Sequence, residues 1–265
     1  MDIQEYKKEL EKRELAKSTI TKYERDIKDF LEYLGDREVT QELFIAYKKE
    51  LIKKYKINTV NTKITIINSY LAYEEKDIKV KQEKTQRSTT LDNVLTETDF
   101  NRLVRMAKTR GNERARITML SLYWTGLRVS ELQYLTVDAV KKGYIDVNNK
   151  GKHRRVPVNR QLSKELKKYT KDENIVEGSI IRNAKGESLS RSYVFRELKY
   201  IGGQARVKKD KVYPHSFRHL FAKQWLKHNN NNMLALADLL GHSSLETTRI
   251  YSTLSTEEQR ATMEF

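Results

Sequence analysis

The sequence predicts a mainly α-helical protein with a small β-sheet: a helical N-terminal domain followed by a larger mixed α/β domain. Three observations predict it. Through most of the first 80 residues, apolar side chains recur at three- and four-residue steps, the period of an amphipathic helix. That period lapses over residues 79–93, "KVKQEKTQRSTTLDN", which holds few apolar residues and suits an exposed linker. Helical periods then return, interrupted at residues 144–158, "YIDVNNKGKHRRVPV", where alternation replaces them. The expected division is a domain over 1–80, a linker over 81–93 and a second domain over 94–265. A chain of 265 residues can bury a core in each.

The elements follow in order. Residues 18–34 place Ile20, Tyr23, Ile27, Phe30, Leu31 and Leu34 on one helical face, with Gly35 as the C-cap. Residues 40–55 repeat the pattern through Leu43, Phe44, Tyr47, Leu51 and Ile52. Residues 59–73 turn Val60, Ile64, Ile67, Tyr70 and Leu71 inward, with Asn58 and Thr59 as capping residues. Thr96 and Asp99 form a capping-box pair ahead of Phe100, Leu103 and Val104. Residues 117–124 are almost continuously apolar and predict a buried helix. Asn148-Asn149-Lys150-Gly151 marks a hairpin turn. Further helices are expected at 162–169, 192–200, 216–227, 233–240 and 245–251, the last opened by a capping box of Ser243 and Glu246. "NNNN" at 229–232 reads as a loop, and Ser255 with Glu258 as a capping box in the tail.

Composition narrows the chemistry. There are no cysteines, which excludes disulfides and thiolate metal sites and suits a cytoplasmic protein. No signal peptide opens the chain, and no apolar run nears the roughly 18 residues of a membrane span. The formal net charge is +16, unevenly spread: 19 Lys+Arg against 17 Asp+Glu in residues 1–85, but 33 against 19 beyond. Such an excess is either a solvated lysine-rich surface or the footprint of an anionic polymer.

The candidate chemistry is a phenol among cations. Tyr251 alone reads as a packing aromatic, since a phenol of pKa near 10 is a poor nucleophile without cationic help. That help is at hand. Gly126 breaks the apolar helix, so Arg128 stands at a buried corner near a helix N-terminus, where an anion is favoured; the plainer reading pairs it with Glu131. Pro214 starts a helix on whose first turn His215 and Arg218 share a face, while His219 is expected to point elsewhere, either as a satisfied core histidine or as one that supports the site from behind. Guanidiniums can hold both nonbridging oxygens of a phosphate. No carboxylate cluster suits a metal and no nucleotide-binding glycine loop follows a strand, so neither metal nor cofactor is expected.

"TGLRVSEL" (125–132), "PHSFRH" (214–219) and "LLGHSSLETTRIY" (239–251) together resemble the signature boxes of the tyrosine recombinase or phage-type integrase family, in its order and spacing. "STITKYERDIKDFLEYL" and "NTVNTKITIINSYLAY" resemble its N-terminal core-binding, SAM-like domain, so the likeness spans nearly the whole chain, as in small two-domain, Xer-like or mobile-element integrases. The resemblance implies a C-shaped clamp on double-stranded DNA and a site-specific recombinase that cleaves and rejoins it through a 3′-phosphotyrosyl link. Tyr251 is then the nucleophile, Arg128 and Arg218 the phosphate clamp, His215 a proton-transfer group and His242 a phosphate hydrogen bonder, with Glu131 supporting the first arginine. The family's turn lysine matches Lys150, or Lys152 as the alternative. The assembly implied is a homotetramer on synapsed DNA, monomeric or weakly dimeric when free, away from membranes. Two other readings share the residues: an inactive recombinase-like DNA-binding protein and a type IB topoisomerase-like enzyme.

Overall fold

The structure is a computed structural model that describes residues 2–85, 93–149, 152–242, 244–252 and 260. The chain forms two compact units, Met1–Arg87 and Ser88–Phe265. It is mainly helical with one two-stranded sheet among the described residues, as the sequence predicts. No described helix is long and apolar enough to cross a membrane.

The N-terminal unit holds α1 (Ile3–Lys12), α2 (Lys17–Leu34), α3 (Gln41–Lys54) and α4 (Ile57–Tyr73). Ile27, Phe30, Phe44, Val60, Ile64 and Ile67 are fully buried, the residues that the helical period turns inward. Two details differ from the sequence reading. The helix α1 precedes the first predicted one and buries only Tyr6 and Leu10, too sparse a pattern to register as a period. In addition, α4 starts two residues earlier than predicted, after Lys56, without a side-chain cap from Asn58 or Thr59.

After α4 the chain does not leave this unit. The side-chain amide of Asn68 accepts from Val80 N (3.0 Å) and donates to Val80 O (2.9 Å). Asn61 does the same with Glu83 (2.8 and 2.9 Å), and Gln41 with Lys79 (3.2 and 2.9 Å). Val80 is the segment's one core anchor, packed with Ile78 beside it; the rest of residues 79–83 is polar and is held by side-chain amides.

The second unit holds α5 (Glu97–Thr109), α6 (Glu113–Thr125), a 3₁₀ turn (Val129–Tyr134), α7 (Val137–Lys142), β1 (Tyr144–Asn149), β2 (Lys152–Pro157), α8 (Arg160–Asp172), α9 (Arg191–Gln204), α10 (Pro214–His228), α11 (Met233–Leu240), α12 (Leu245–Arg249) and a closing 3₁₀ turn (Ile250–Ser252). The Thr96–Asp99 capping box opens α5. Central to the unit is α6, buried almost all round, with Ile117, Met119 and Leu122 fully enclosed. The strands pair antiparallel from Tyr144↔Pro157 to Asn149↔Lys152, so Lys150 and Gly151 of the predicted turn lie outside the described residues. Between α10 and α11, Asn230 and Asn231 take left-handed backbone (φ 50° and 54°), which asparagine tolerates, and Asn232 caps α11. The N-cap of α12 is Ser244, not Ser243, which lies outside the described residues; the Ser255–Glu258 box lies outside them too.

Candidate active site

The first corner of the site follows from a glycine. Gly126 ends α6 at φ 62°, and a Cβ there would stand 2.4 Å from the Phe221 ring, so only glycine fits. The chain then turns through extended Arg128 into the 3₁₀ segment. Glu131 reaches back: its Oε2 accepts from Arg128 N (2.8 Å) and its Oε1 from Arg128 Nη1 (2.9 Å). The plainer reading of Arg128 as a partner of Glu131 therefore holds, yet the arginine side chain stays 35% exposed.

Glu131 has a second partner that sequence reasoning missed. Arg154 of β2 donates to both its oxygens, Nη1 to Oε1 at 3.2 Å and Nη2 to Oε2 at 2.7 Å, and its Nε donates to Leu239 O at 3.0 Å. Burial alone would raise the Glu131 carboxyl; the hydrogen bonds from Arg154 and from Arg128 hold it down at about 2. A signal was available. Strand alternation puts Arg154 on the face of buried Val156, opposite Val147, where a charged residue needs a partner.

The second corner is the start of α10. Pro214 occupies its first turn after extended Tyr213, as predicted. Arg218 is fully buried; Nη1 donates to Gly126 O (2.7 Å) and Nη2 to Leu240 O (2.8 Å). Those carbonyls lie at the C-terminal ends of α6 and α11, the negative poles of both helices, which compensates a buried cation. Nη2 also meets His242 Nε2 at 2.8 Å, and His242 Nδ1 meets Thr248 Oγ1 at 2.9 Å. Arg218 Nε makes no hydrogen bond among the described residues. Thr248, fully buried, is the other functional candidate that the sequence reading passed over.

Tyr251 closes the ring of residues. Its side chain is 4% exposed and packs with Ala222, Leu226, Leu236 and Leu240. Its ring stacks on His242 (centroids 5.8 Å, 19°) and tilts against His219 (5.0 Å, 67°). The phenol also lies against the Arg218 guanidinium, partly offsetting the depression that burial causes there. Although nine positions separate His242 from Tyr251, the five-residue α12 folds the chain back so that the two rings meet.

The histidines are held neutral. Burial first, then the Arg218 and Arg128 charges, hold His242 down at about 4. His215 keeps an open face to solvent, yet the protein around it and the charges of Arg218, Arg128 and Arg191 lower it from 6.5. His219 departs from the sequence reading in direction: it does not point away from the site but packs behind two of its residues, the second of the two places expected of it. It stands between His215 (4.8 Å, 86°) and Tyr251, 8% exposed, with an unpartnered Nδ1 and a pKa lowered to about 4, by burial first and then by His215 and Arg218.

The structure thus gathers Arg128, His215, Arg218, His242 and Tyr251. Lys150 lies outside the described residues, as does the side chain of Lys152. Among the described residues no group of three or more His, Cys, Asp or Glu side chains could hold a metal ion.

This arrangement has relatives. Residues 93–258 match the phage integrase family, and residues 3–76 match the phage integrase N-terminal SAM-like domain. Tyrosine recombinase XerA of Pyrococcus furiosus is 30% identical over 99% of this chain and 92% of its own length. Among solved structures, a lambda integrase (75–356) dimer bound to a COC′ core site superposes with a TM-score of 0.79 at 19% identity, covering 94% of this chain and 93% of that one. A lambda integrase tetramer bound to a Holliday junction gives 0.75 at 21%, covering 94% and 75%. Matched in both of its domains and over its full length, the chain belongs to the phage integrase family.

Proposed function

We propose that this protein is a site-specific recombinase that cleaves and rejoins double-stranded DNA with Tyr251 as nucleophile. One observation carries the reading: a buried phenol lies against a buried guanidinium and stacks on the histidine that the same guanidinium holds. Burial of a tyrosine against a cation serves little structural purpose when Phe would pack as well.

In this reading the Tyr251 oxygen attacks the backbone phosphorus, its proton passing to His215, which is neutral and free to accept it. The bond to the 5′-oxygen breaks and a 3′-phosphotyrosyl ester forms. Half-buried Arg128 and the inner Arg218 bind the nonbridging oxygens as charge spreads onto them. A turn lysine, Lys150 or else Lys152, protonates the leaving oxygen, and a 5′-phosphorothiolate substrate tells them apart by rescuing only the relevant alanine variant. Attack by a 5′-hydroxyl reverses every step, so the ester conserves the bond energy and the cycle needs neither ATP nor a metal. Strand exchange requires two paired sites, hence a tetramer on DNA built from free monomers or weak dimers, in the cytoplasm.

The test is a nicked half-site duplex that traps cleavage. The wild-type protein is expected to become covalently linked to DNA and Tyr251→Phe to form no adduct while folding normally. An undiminished adduct with Tyr251→Phe, or none with wild type at any candidate site, overturns the reading.

A further inference from the structure

Two guanidiniums share one carboxylate at Glu131, and they differ in what they have left to give. Arg154 is 11% exposed, with all three nitrogens engaged: Nη1 and Nη2 on Glu131, Nε on Leu239 O. Arg128 commits only Nη1 to Glu131 and is 35% exposed. Charge counting gives the group one net positive unit, carried outward by Arg128.

Take Arg154 away and the count changes. Glu131 is 1% exposed, and a carboxylate so buried cannot turn to water for compensation. Its remaining cationic partner is Arg128, and the fork geometry of a guanidinium favours a two-point pair. Arg128 would then be drawn onto Glu131 with two nitrogens, neutralised and turned from solvent.

Arg154 also sets the spacing of the second arginine. It holds Leu239 O while Arg218 holds Leu240 O, consecutive carbonyls at the end of α11. Its stem packs under Gly241 so closely that a Cβ there would lie 2.9 Å from Arg154 Cδ. His242 follows directly.

We propose that Arg154 is a positioning residue: by occupying Glu131 it keeps Arg128 free to bind a phosphate oxygen, in register with Arg218. The proposal rests on the reading of Arg128 as a phosphate ligand given above.

The decisive experiment is a charge rescue. In single-turnover adduct formation, Arg154→Gln is expected to be about 100-fold slow, the cost of losing one oriented donor, with duplex affinity little changed. Arg154→Gln/Glu131→Gln should recover at least about tenfold, because no buried anion then competes for Arg128. A role in packing alone makes the double variant worse than either single one; that result, or an unimpaired Arg154→Gln, overturns the proposal. Should Arg154→Gln not fold, Arg154→Lys with and without Glu131→Gln replaces it, with the same direction of rescue expected. A second readout needs no cleavage: orthovanadate titrated against the arginine Nε–H NMR signals. The Arg128 signal should respond in wild type, not in Arg154→Gln, and again in the double variant. Wild-type protein that takes up vanadate at Arg128 but forms no adduct overturns the strand-cleavage reading while supporting this one; an unresponsive Arg128 in wild type overturns this one.

Discussion

His242 Nε2 accepts a hydrogen bond from Arg218 Nη2 at 2.8 Å, while its Nδ1 faces Thr248 Oγ1 at 2.9 Å. An arginine can only donate, so Nε2 carries the lone pair and Nδ1 the proton, which it gives to Thr248. The neutral ring agrees with a pKa lowered to about 4 by burial and by Arg218. In this state His242 cannot donate to a phosphate through Nε2. It can do so after the tautomer exchanges, and then Thr248 must become the donor to Nδ1. A hydroxyl serves both roles.

Thr248→Val, which keeps the shape and removes the hydroxyl, is therefore expected to slow adduct formation about tenfold, the value of one buried hydrogen bond of roughly 1–1.5 kcal/mol. Thr248→Ser should stay close to wild type. Single-turnover cleavage of the half-site duplex measures both. A Thr248→Val protein at the wild-type rate means that His242 works without exchanging its proton.

Arg218 is a structural cation as well as a candidate catalytic one. Truncation to alanine strands the carbonyls of Gly126 and Leu240 in the interior. At about 1–3 kcal/mol for each unpaired group, Arg218→Ala should lose about 2–6 kcal/mol. For a unit of this size that is roughly 4–24 °C of melting temperature, at about 2–4 °C per kcal/mol. Arg218→Lys keeps the charge and one carbonyl bond, so it should melt within a few degrees of wild type yet cleave at least about 100-fold more slowly, having lost the planar fork. Calorimetry and adduct kinetics on the same samples separate the two effects; equal melting temperatures for wild type and Arg218→Ala contradict the burial argument.

What could be read from the sequence, and what could not, divides by the range of the interaction. The buried α6 showed in its continuous apolar run, its end in Gly126, and the hairpin in the alternation around Val147 and Val156, because burial and backbone geometry act on neighbouring residues. The boxes likewise placed Arg128, Arg218, His242 and Tyr251, which the fold brings together. Arg154 was invisible in its role because its partner lies 23 positions away and no period links a strand arginine to a glutamate on a 3₁₀ turn. The direction of His219 was misread for a similar reason: its neighbour Tyr251 arrives by a turn whose path propensity does not determine. The Ser243–Ser244 ambiguity is smaller, since either hydroxyl could cap α12.

The neutral histidines set an acid limit on stability. His219 and His242 have pKa values near 4 when folded, against about 6.5 unfolded. Between those values the unfolded chain binds more protons than the native one, so stability is intact above about pH 6.5 and falls as pH drops toward 4. The slope is at most about 1.4 kcal/mol per pH unit for each histidine. Urea unfolding at pH 7.5 and 5 should show a lower midpoint at pH 5. His219→Phe, which keeps the ring contact with Tyr251, should flatten that dependence by one histidine's share. An unchanged slope means that His219 titrates like a free imidazole.

The stretch after α4 offers a test of a different kind, since side-chain amides share with the Val80 packing the work of holding it to the N-terminal unit. An asparagine or glutamine amide presents a carbonyl acceptor and an NH2 donor side by side, complementary to the N–H and C=O of one residue. Asn68 thus meets Val80, and Asn61 meets Glu83, as a neighbouring strand would. Lys48 adds a bond to Lys81 O at 2.7 Å. The Val80 and Glu83 amides should therefore be protected from hydrogen exchange. Asn68→Ala should speed exchange at Val80 about fivefold, for the loss of roughly 1 kcal/mol of local hydrogen bonding, and leave Glu83 nearly unchanged; Asn61→Ala should do the reverse. If Val80 stays protected in Asn68→Ala, then Ile78 and Val80 packing, and not the amides, anchors the segment.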